Sequence, residues 1–316
     1  MTVMSRDATD GAGQHIGSLG GMKPDAADIE RVRRALGAVP VAWRAVPGHG
    51  AASTRRFVVE LPDGGTAFVK IAAFDYVADW FRDERLVYDA LDGMPSLPRL
   101  LGWDDDGEAP LLALEDLSGA RWPPPWDRSS VDAVLTALDA LHAAIPRSDL
   151  PTADERQFGL DSWPDVAADP APFLATELCS PEWLRNHLPA LAAASAAARI
   201  EGEHVLHFDV RSDNLCLTEG RALFVDWNHA CIGNPVLDTA SWLPSLAVEG
   251  GPAPEEILAP DTPGLSEIAA LLAGYFCARA GLPEISQAPH VRRLQREQAG
   301  TALPWAARML GLPPPG

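Results

Sequence analysis

The densest group of residues able to do chemistry in this 316-residue sequence is His207-Phe208-Asp209-Val210-Arg211-Ser212-Asp213-Asn214. Apolar residues flank it, Val205-Leu206 before and Leu215-Cys216-Leu217 after. A short hairpin through Glu219-Gly220 leads to Ala222-Leu223-Phe224-Val225, which ends on Asp226. Asn214 and Asp226 thus both stand where a strand begins or ends, and packed strands could hold their oxygens close together. Hard oxygen ligands of this kind suit Mg²⁺, which usually takes one or two carboxylates together with substrate phosphates. The competing reading is a polar β-turn with an Asn cap.

A second pair lies far upstream. In the strand-like run Thr66–Ile71, alternation puts Phe68 and Lys70 on one face. A lysine ending an apolar strand needs an anion. In the helical pattern that follows, Trp80, Glu84, Val87 and Leu91 fall on one stripe. Glu84 therefore points with the apolar face, where an unpaired carboxylate is costly. Lys70 is its obvious partner; a rim glutamate beside a snorkelling lysine is the alternative.

His207-x-Asp209-x-x-x-x-Asn214, followed by Asp226 at a strand end, resembles the catalytic loop and metal-binding aspartate of the aminoglycoside phosphotransferase family within the protein-kinase-like superfamily. The resemblance implies an α+β, bilobal, protein-kinase-like fold and an ATP- and Mg²⁺-dependent phosphotransferase. By it, Asp209 would orient a substrate hydroxyl and accept its proton, while Asn214 and Asp226 would hold Mg²⁺ against the ATP phosphates. His207 and Asp238 would brace the loop, although a helix N-cap is an equal reading of Asp238. Arg211 would help neutralise the transferring phosphoryl group, or only pair with Asp213. Lys70, placed by Glu84, would meet the α- and β-phosphates. Leu114, Glu115 and Asp116 resemble the hinge that binds adenine through its backbone. Gly48-His49-Gly50-Ala51-Ala52-Ser53 resembles the nucleotide-covering loop, with Ser53 in the ATP site. Two departures stand out. Many family members carry Gly where Phe208 stands, and Trp227-Asn228 follows the metal aspartate. The resemblance runs from about Val41 to Trp242 and thins through 145–200 and beyond 250, where this family builds its acceptor pocket.

The elements that must position these groups are legible in outline. A helix is expected over Asp25–Leu36 and a strand over Val41–Val46. Arg56–Leu61 and Thr66–Ile71 form a hairpin through Pro62-Asp63-Gly64-Gly65. A helix follows over Trp80–Leu91 and a short strand over Leu111–Leu114. Trp122-Pro123-Pro124-Pro125-Trp126 breaks the chain, and Val131, Val134, Leu135, Leu138 and Leu141 then repeat at helical spacing. Loops and short helices are expected over 145–200, a strand group over 204–226, and helices near Ser266–Ala280 and His290–Leu310. The division is a disordered leader at 1–22, or an over-long start with Met22 as the true one, a nucleotide-binding lobe at 23–117 and a catalytic lobe with the acceptor pocket at 118–316.

Composition narrows the partners. A net charge of −19 repels nucleic acid and anionic membrane and mildly favours a cationic substrate. Four scattered cysteines without C-x-x-C spacing argue against zinc or a disulfide framework and for a reducing cytoplasm. Acidic residues gather at Asp149, Asp154, Glu155, Asp161, Asp165 and Asp169, and again at Glu249, Glu255, Glu256, Asp261 and Glu267. If some face the cleft, the acceptor is polycationic, as an aminoglycoside or a basic peptide antibiotic is; otherwise they are solvated loop and cap residues. Three alternatives accompany an antibiotic kinase. They are a kinase of an amino sugar, amino alcohol or nucleoside, a nucleotide-binding module without catalysis, and a protein kinase. The short stretch between Asp226 and Asp238 argues against the last.

Overall fold

The computed structural model describes residues 24–46, 54–156, 159–285 and 290–316. Helix α1 (Ala26–Leu36) starts where Asp25 caps it: the Asp25 carboxylate accepts the Asp28 N–H at 2.8 Å, and Asp28 accepts the Asp25 N–H at 3.4 Å. Strands β1 (Ala42–Ala45), β2 (Thr54–Glu60) and β3 (Thr66–Ala72) follow. The β2–β3 turn runs through Gly64 at φ 82°, a conformation that glycine adopts without steric cost. Helix α2 (Asp75–Ala90), β4 (Leu100–Asp104) and β5 (Leu111–Glu115) complete an antiparallel sheet ordered β1-β2-β3-β5-β4.

The sheet's two faces bury different surfaces, as the period of two requires. Val59, Ala67, Val69, Ile71, Leu111 and Ala113 pack on Val32 of α1 and form one core. Leu112 and Leu114 join the other, which takes in Val77, Phe81, Val87 and Leu91 of α2 and continues into the helical part. Lys70 shares this second face, directly opposite Leu112 in the β3–β5 register.

Helix α2 begins at Asp75, five residues before the Trp80 expected from the sequence, because Phe74 supplies no side-chain cap that would mark its start. Strand β4 was not expected at all. All five of its residues are half-buried, so no alternation betrays it, and a β-bulge interrupts its pairing with β5 between Leu100 and Gly102. Gly102 has a packing reason: a Cβ there would stand 2.2 Å from the Ala35 carbonyl oxygen of α1.

The rest of the chain comprises α3 (Arg128–His142), α4 (Trp163–Ala168), α5 (Ala171–Leu174), α6 (Pro181–Ala196), β6 (His204–Leu206), β7 (Leu215–Thr218), β8 (Arg221–Phe224), β9 (Cys231–Gly233), α7 (Pro235–Val248), α8 (Pro254–Ile257), α9 (Leu265–Ala280) and α10 (His290–Met309). Helix α9 is apolar nearly all round and is packed by α4, α6, α7 and α10. The expectation of short pieces over 145–200 missed α6, a 16-residue helix that carries Pro189 in its interior. Helix α7, with Pro235 in its first turn and Pro244 inside, has its N-cap at Asn234, four residues before the Asp238 that the sequence equally allowed as a cap. Within the expected strand group, β7 and β8 form the hairpin, whereas β6 pairs with β9, beyond the stretch read from the sequence.

Candidate active site

Lys70 and Glu84 meet as their spacing requires, and Asp226 joins them. The Lys70 Nζ lies 2.6 Å from Glu84 Oε2 and 2.8 Å from Asp226 Oδ1. The three side chains differ in exposure: 5% for Lys70, 1% for Glu84 and 45% for Asp226. The ammonium and the glutamate are thus sealed between β3 and α2, while the aspartate reaches solvent. Burial pushes the Glu84 carboxyl up, opposed by Lys70. Burial also opposes the Lys70 charge, yet its two carboxylate neighbours together hold its pKa above the ordinary value. The Lys70 charge in turn holds Asp226 far below the usual carboxylate range. Asp226 stays ionised at any physiological pH, in a left-handed backbone conformation with φ 59°.

The loop between β6 and β7 is locked from several sides. Asp238, completely buried in α7, accepts the His207 N–H at 2.8 Å on Oδ2 and the Phe208 N–H at 2.6 Å on Oδ1. The N-cap of α7 is Asn234, so Asp238 is not the helix cap that the sequence equally allowed. His142 of α3 approaches Asp238 Oδ2 at 3.3 Å. His207 Nε2 stands 2.9 Å from the Val225 carbonyl oxygen, and its Nδ1 accepts the Asp209 N–H at 3.3 Å. One tautomer satisfies both contacts, with the proton on Nε2. Burial pushes the His207 pKa down to about 4, so the ring is neutral at pH 7.

Phe208 adopts φ 66°, where a residue with a Cβ is strained. Glycine suits that position, which is the physical content of the departure noted at Phe208. Here the ring is buried in the main core, and Asp238 holds the N–H.

Asn214 is oriented by Asp209. Its Nδ2 donates to the Asp209 carbonyl at 3.0 Å and to Asp209 Oδ2 at 2.8 Å, which turns Oδ1 the other way. The Asn214 carbonyl accepts the Val225 N–H at 2.8 Å, tying the loop to the residue before Asp226. Arg211 bridges two carboxylates: Nη2 donates to Asp213 at 2.7 Å, and Nε lies 3.8 Å from Asp209 Oδ1. Leu114 stands one same-face step along β5 from Leu112, hence beside the Lys70 row. Glu115 is drawn to Arg99, whose carbonyl takes the Glu115 N–H at 2.9 Å. The Asp116 carboxylate accepts from Ser118 N–H and Oγ, at 3.0 and 2.5 Å. Ser53 and the loop of residues 48–53 lie outside the described residues.

Two networks around the site had no sequence signal, since their members lie far apart in the chain. Arg156 donates to Asp83 of α2 at 2.6 Å and to the Ala230 carbonyl at 3.0 Å, clasping the sheet's helix to the segment after Asp226. Glu249 accepts from Ser212 Oγ at 2.5 Å and from Trp126 Nε1 at 2.8 Å, holding the catalytic-loop candidate from its other end.

Several of the clustered acidic residues are engaged within the fold. Glu155 accepts from Thr152 at 2.8 Å, Asp161 from Ser195 at 2.7 Å and Asp169 from the Ala171 N–H at 3.2 Å. Glu255 pairs with Arg308 at 2.6 Å, and Glu256 caps the Ala253 N–H at 2.9 Å. Among the described residues no group of three or more His, Cys, Asp or Glu side chains could hold a metal by itself. The four cysteines are free and buried. No helix among those residues is long and apolar enough to cross a membrane.

An antiparallel sheet with a sealed lysine–glutamate pair, set over a helical part that carries an Asp–Asn loop, is the α+β, bilobal, protein-kinase-like fold. The chain belongs to the phosphotransferase enzyme family, whose sequence profile matches residues 44–282. It is a small-molecule phosphotransferase with an alcohol group as acceptor. Solved structures share the fold at low identity. A choline/ethanolamine kinase family protein from Mesorhizobium loti is similar at 15% identity and TM-score 0.57, covering 90% of this chain and 98% of its own. A thermostable mutant of aminoglycoside phosphotransferase APH(4)-Ia, in ternary complex with AMP-PNP and hygromycin B, is similar at 13% identity and TM-score 0.55, covering 91% and 98%. Plasmodium vivax ethanolamine kinase is similar at 12% identity and TM-score 0.53, covering 85% and 84%. No curated protein matches the sequence.

Proposed function

We propose that this chain transfers the γ-phosphoryl group of ATP, with Mg²⁺, to a hydroxyl of a small molecule. The observation that carries the reading is the Lys70 ammonium held between Glu84 and Asp226, the latter 156 residues away in sequence. Lys70 is fixed in position to pair with the α- and β-phosphates. Asp226 and the oxygen that Asn214 turns away from Asp209 fit Mg²⁺, which keeps few protein ligands and takes the rest from water and phosphate. When bound, the ion neutralises phosphate charge. Asp209 Oδ1 is the group that takes the hydroxyl proton as the new O–P bond forms and the bond to the ADP oxygen breaks. Arg211, against Asp209 and Asp213, is within reach of the charge that develops on the transferring group. His207 and Asp238 position the loop and exchange no proton. Leu114, Glu115 and Asp116 line the adenine end, with Ser53 assigned to the phosphate-covering loop by resemblance alone.

For the acceptor, the sequence pointed to an aminoglycoside-like antibiotic through its acidic clusters. Hydrogen bonds and ion pairs within the fold hold several of those carboxylates, Glu155, Asp161, Glu255 and Glu256 among them, and a metabolite such as an amino sugar, amino alcohol or nucleoside is the alternative acceptor. A panel of such hydroxyl compounds with radiolabelled ATP tests the reading. Asp209→Ala is expected to lower turnover by about 10²–10⁴, the scale of a general base, with ATP affinity nearly intact. Asp226→Ala is expected to abolish metal-dependent nucleotide binding. Full turnover by Asp209→Ala would remove the role given to it. ATP binding without turnover on any acceptor at saturating Mg²⁺ would favour a non-catalytic module.

A further inference from the structure

A second concavity lies between α4, α5, the end of α9 and the start of α10, with a cavity volume of about 330 Å³. Its walls carry Phe173 and Leu282, two carboxylates, Asp165 and Asp169, and two guanidinium groups, Arg279 and Arg292. The charges are layered. Asp165 and Asp169 are exposed at the rim, whereas Arg279 and Arg292 are half-buried. Among the described residues neither arginine has a carboxylate within ion-pair distance.

Their partners are neutral. Arg279 lies over the Tyr275 ring, 3.9 Å from its centroid, and Nη1 donates to Ser162 Oγ at 2.9 Å and to the Tyr275 carbonyl at 3.0 Å. Its Nη2 reaches the Gly159 carbonyl at 3.4 Å. Arg292 donates to Gln295 Oε1 at 2.8 Å and to the Pro283 carbonyl at 3.2 Å. Burial, with the like charge of Arg279 second, holds the Arg292 guanidinium below its ordinary pKa. Two neighbouring half-buried cations with no carboxylate partner among the described residues lose part of their hydration, and an entering anion recovers some of that cost.

We propose that this pocket binds a compound through a carboxylate or phosphate group seated against Arg279 and Arg292, with any cationic part of the compound toward Asp165 and Asp169. The planar guanidinium donors suit such oxygens, and the contacts of Arg292 among the described residues use only Nε and Nη1. The anion is either part of the phosphoryl acceptor, which rests on the phosphotransferase reading, or a separate effector.

The test uses the full chain with AMP-PNP and Mg²⁺ at saturation, so that added anion cannot report on the nucleotide site. Inorganic phosphate and D-gluconate are titrated and followed by calorimetry and by the thermal midpoint. Wild type is expected to bind at least one of them, with Arg292→Gln weakening binding at least tenfold and Arg292→Lys weakening it less. Equal binding by wild type and Arg292→Gln, or none by either, overturns the site. Arg292→Gln keeps the loop contacts of Arg279, and an unchanged midpoint without anion shows that it folds. Matched acceptors, D-gluconate against sorbitol and glucose 6-phosphate against glucose, then separate the sources. A lower KM for the acidic member, lost in Arg292→Gln without a change in kcat, assigns the anion to the acceptor. Anion binding without that preference assigns it to an effector. The stabilisation by AMP-PNP and Mg²⁺ in the same runs reports nucleotide binding, and turnover of any acceptor with ATP reports on the phosphotransferase reading independently of the anion.

Discussion

Replacing Asp238 by Asn perturbs the catalytic-loop candidate without opening a cavity, because the two side chains have nearly the same shape. Asp238 is fully buried, and its two oxygens accept from two successive backbone amides, those of His207 and Phe208, at 2.8 and 2.6 Å. An asparagine offers one oxygen. Its amide nitrogen must then face the other backbone N–H, donor against donor. A hydrogen bond to a charged acceptor contributes about 1.5–3 kcal/mol, and leaving a buried donor unmet costs a similar amount. Burying a neutral amide instead of a carboxylate offsets part of this loss. The net destabilisation is expected at about 2–3 kcal/mol, at the upper end of ordinary substitutions. The weakened point is Phe208, whose left-handed backbone costs about 1–2 kcal/mol and needs its clamp. The urea midpoint measures the stability. Steady-state kinetics on any accepted hydroxyl compound should show kcat falling at least tenfold with the KM for ATP nearly unchanged, since Lys70, Glu84 and Asp226 are untouched. A variant within 0.5 kcal/mol of wild type by urea, roughly the noise of a surface change, with unaltered kcat, would refute the reasoning.

The remaining predictions concern pH and packing. His207 and His229 have folded pKa values pushed by burial to about 4 and about 3 from an ordinary 6.5. The unfolded chain therefore binds more protons below pH 6.5, so their contribution to stability is complete above 6.5 and declines as pH falls toward the folded values. For His207 the full loss is on the order of 3 kcal/mol. Urea midpoints between pH 7.5 and 5 should fall, and His207→Gln should flatten the slope. An equal slope in that variant would remove His207 as its source. Gly102→Ala places a methyl group 2.2 Å from a backbone oxygen of α1, so the thermal midpoint should drop by the equivalent of about 1–3 kcal/mol. An unchanged midpoint would show that α1 shifts freely over β4.

Much of the candidate site was written in residue types and local spacing. The loop from His207 to Asn214 and the hairpin to Asp226 are contiguous, so their order along the chain is also their order in space. The Lys70–Glu84 pair follows from two short periods, two in β3 and 3.6 in α2, each legible alone. Alternation, turn residues and apolar stripes likewise marked α1, the β2–β3 hairpin, α3 and α9. Tertiary contact decided what those periods do not carry. Strand β4 exists because β5 pairs with it and α1 presses on Gly102, although its own residues show no alternation. Helices α6 and α7 keep prolines in their interiors because packing outweighs local propensity. Asp238 was equally a helix cap or a brace until Asn234 took the cap and two loop amides turned toward it. The Arg156 and Glu249 tethers join segments far apart in the chain, and only the folded chain brings such side chains within range of one another.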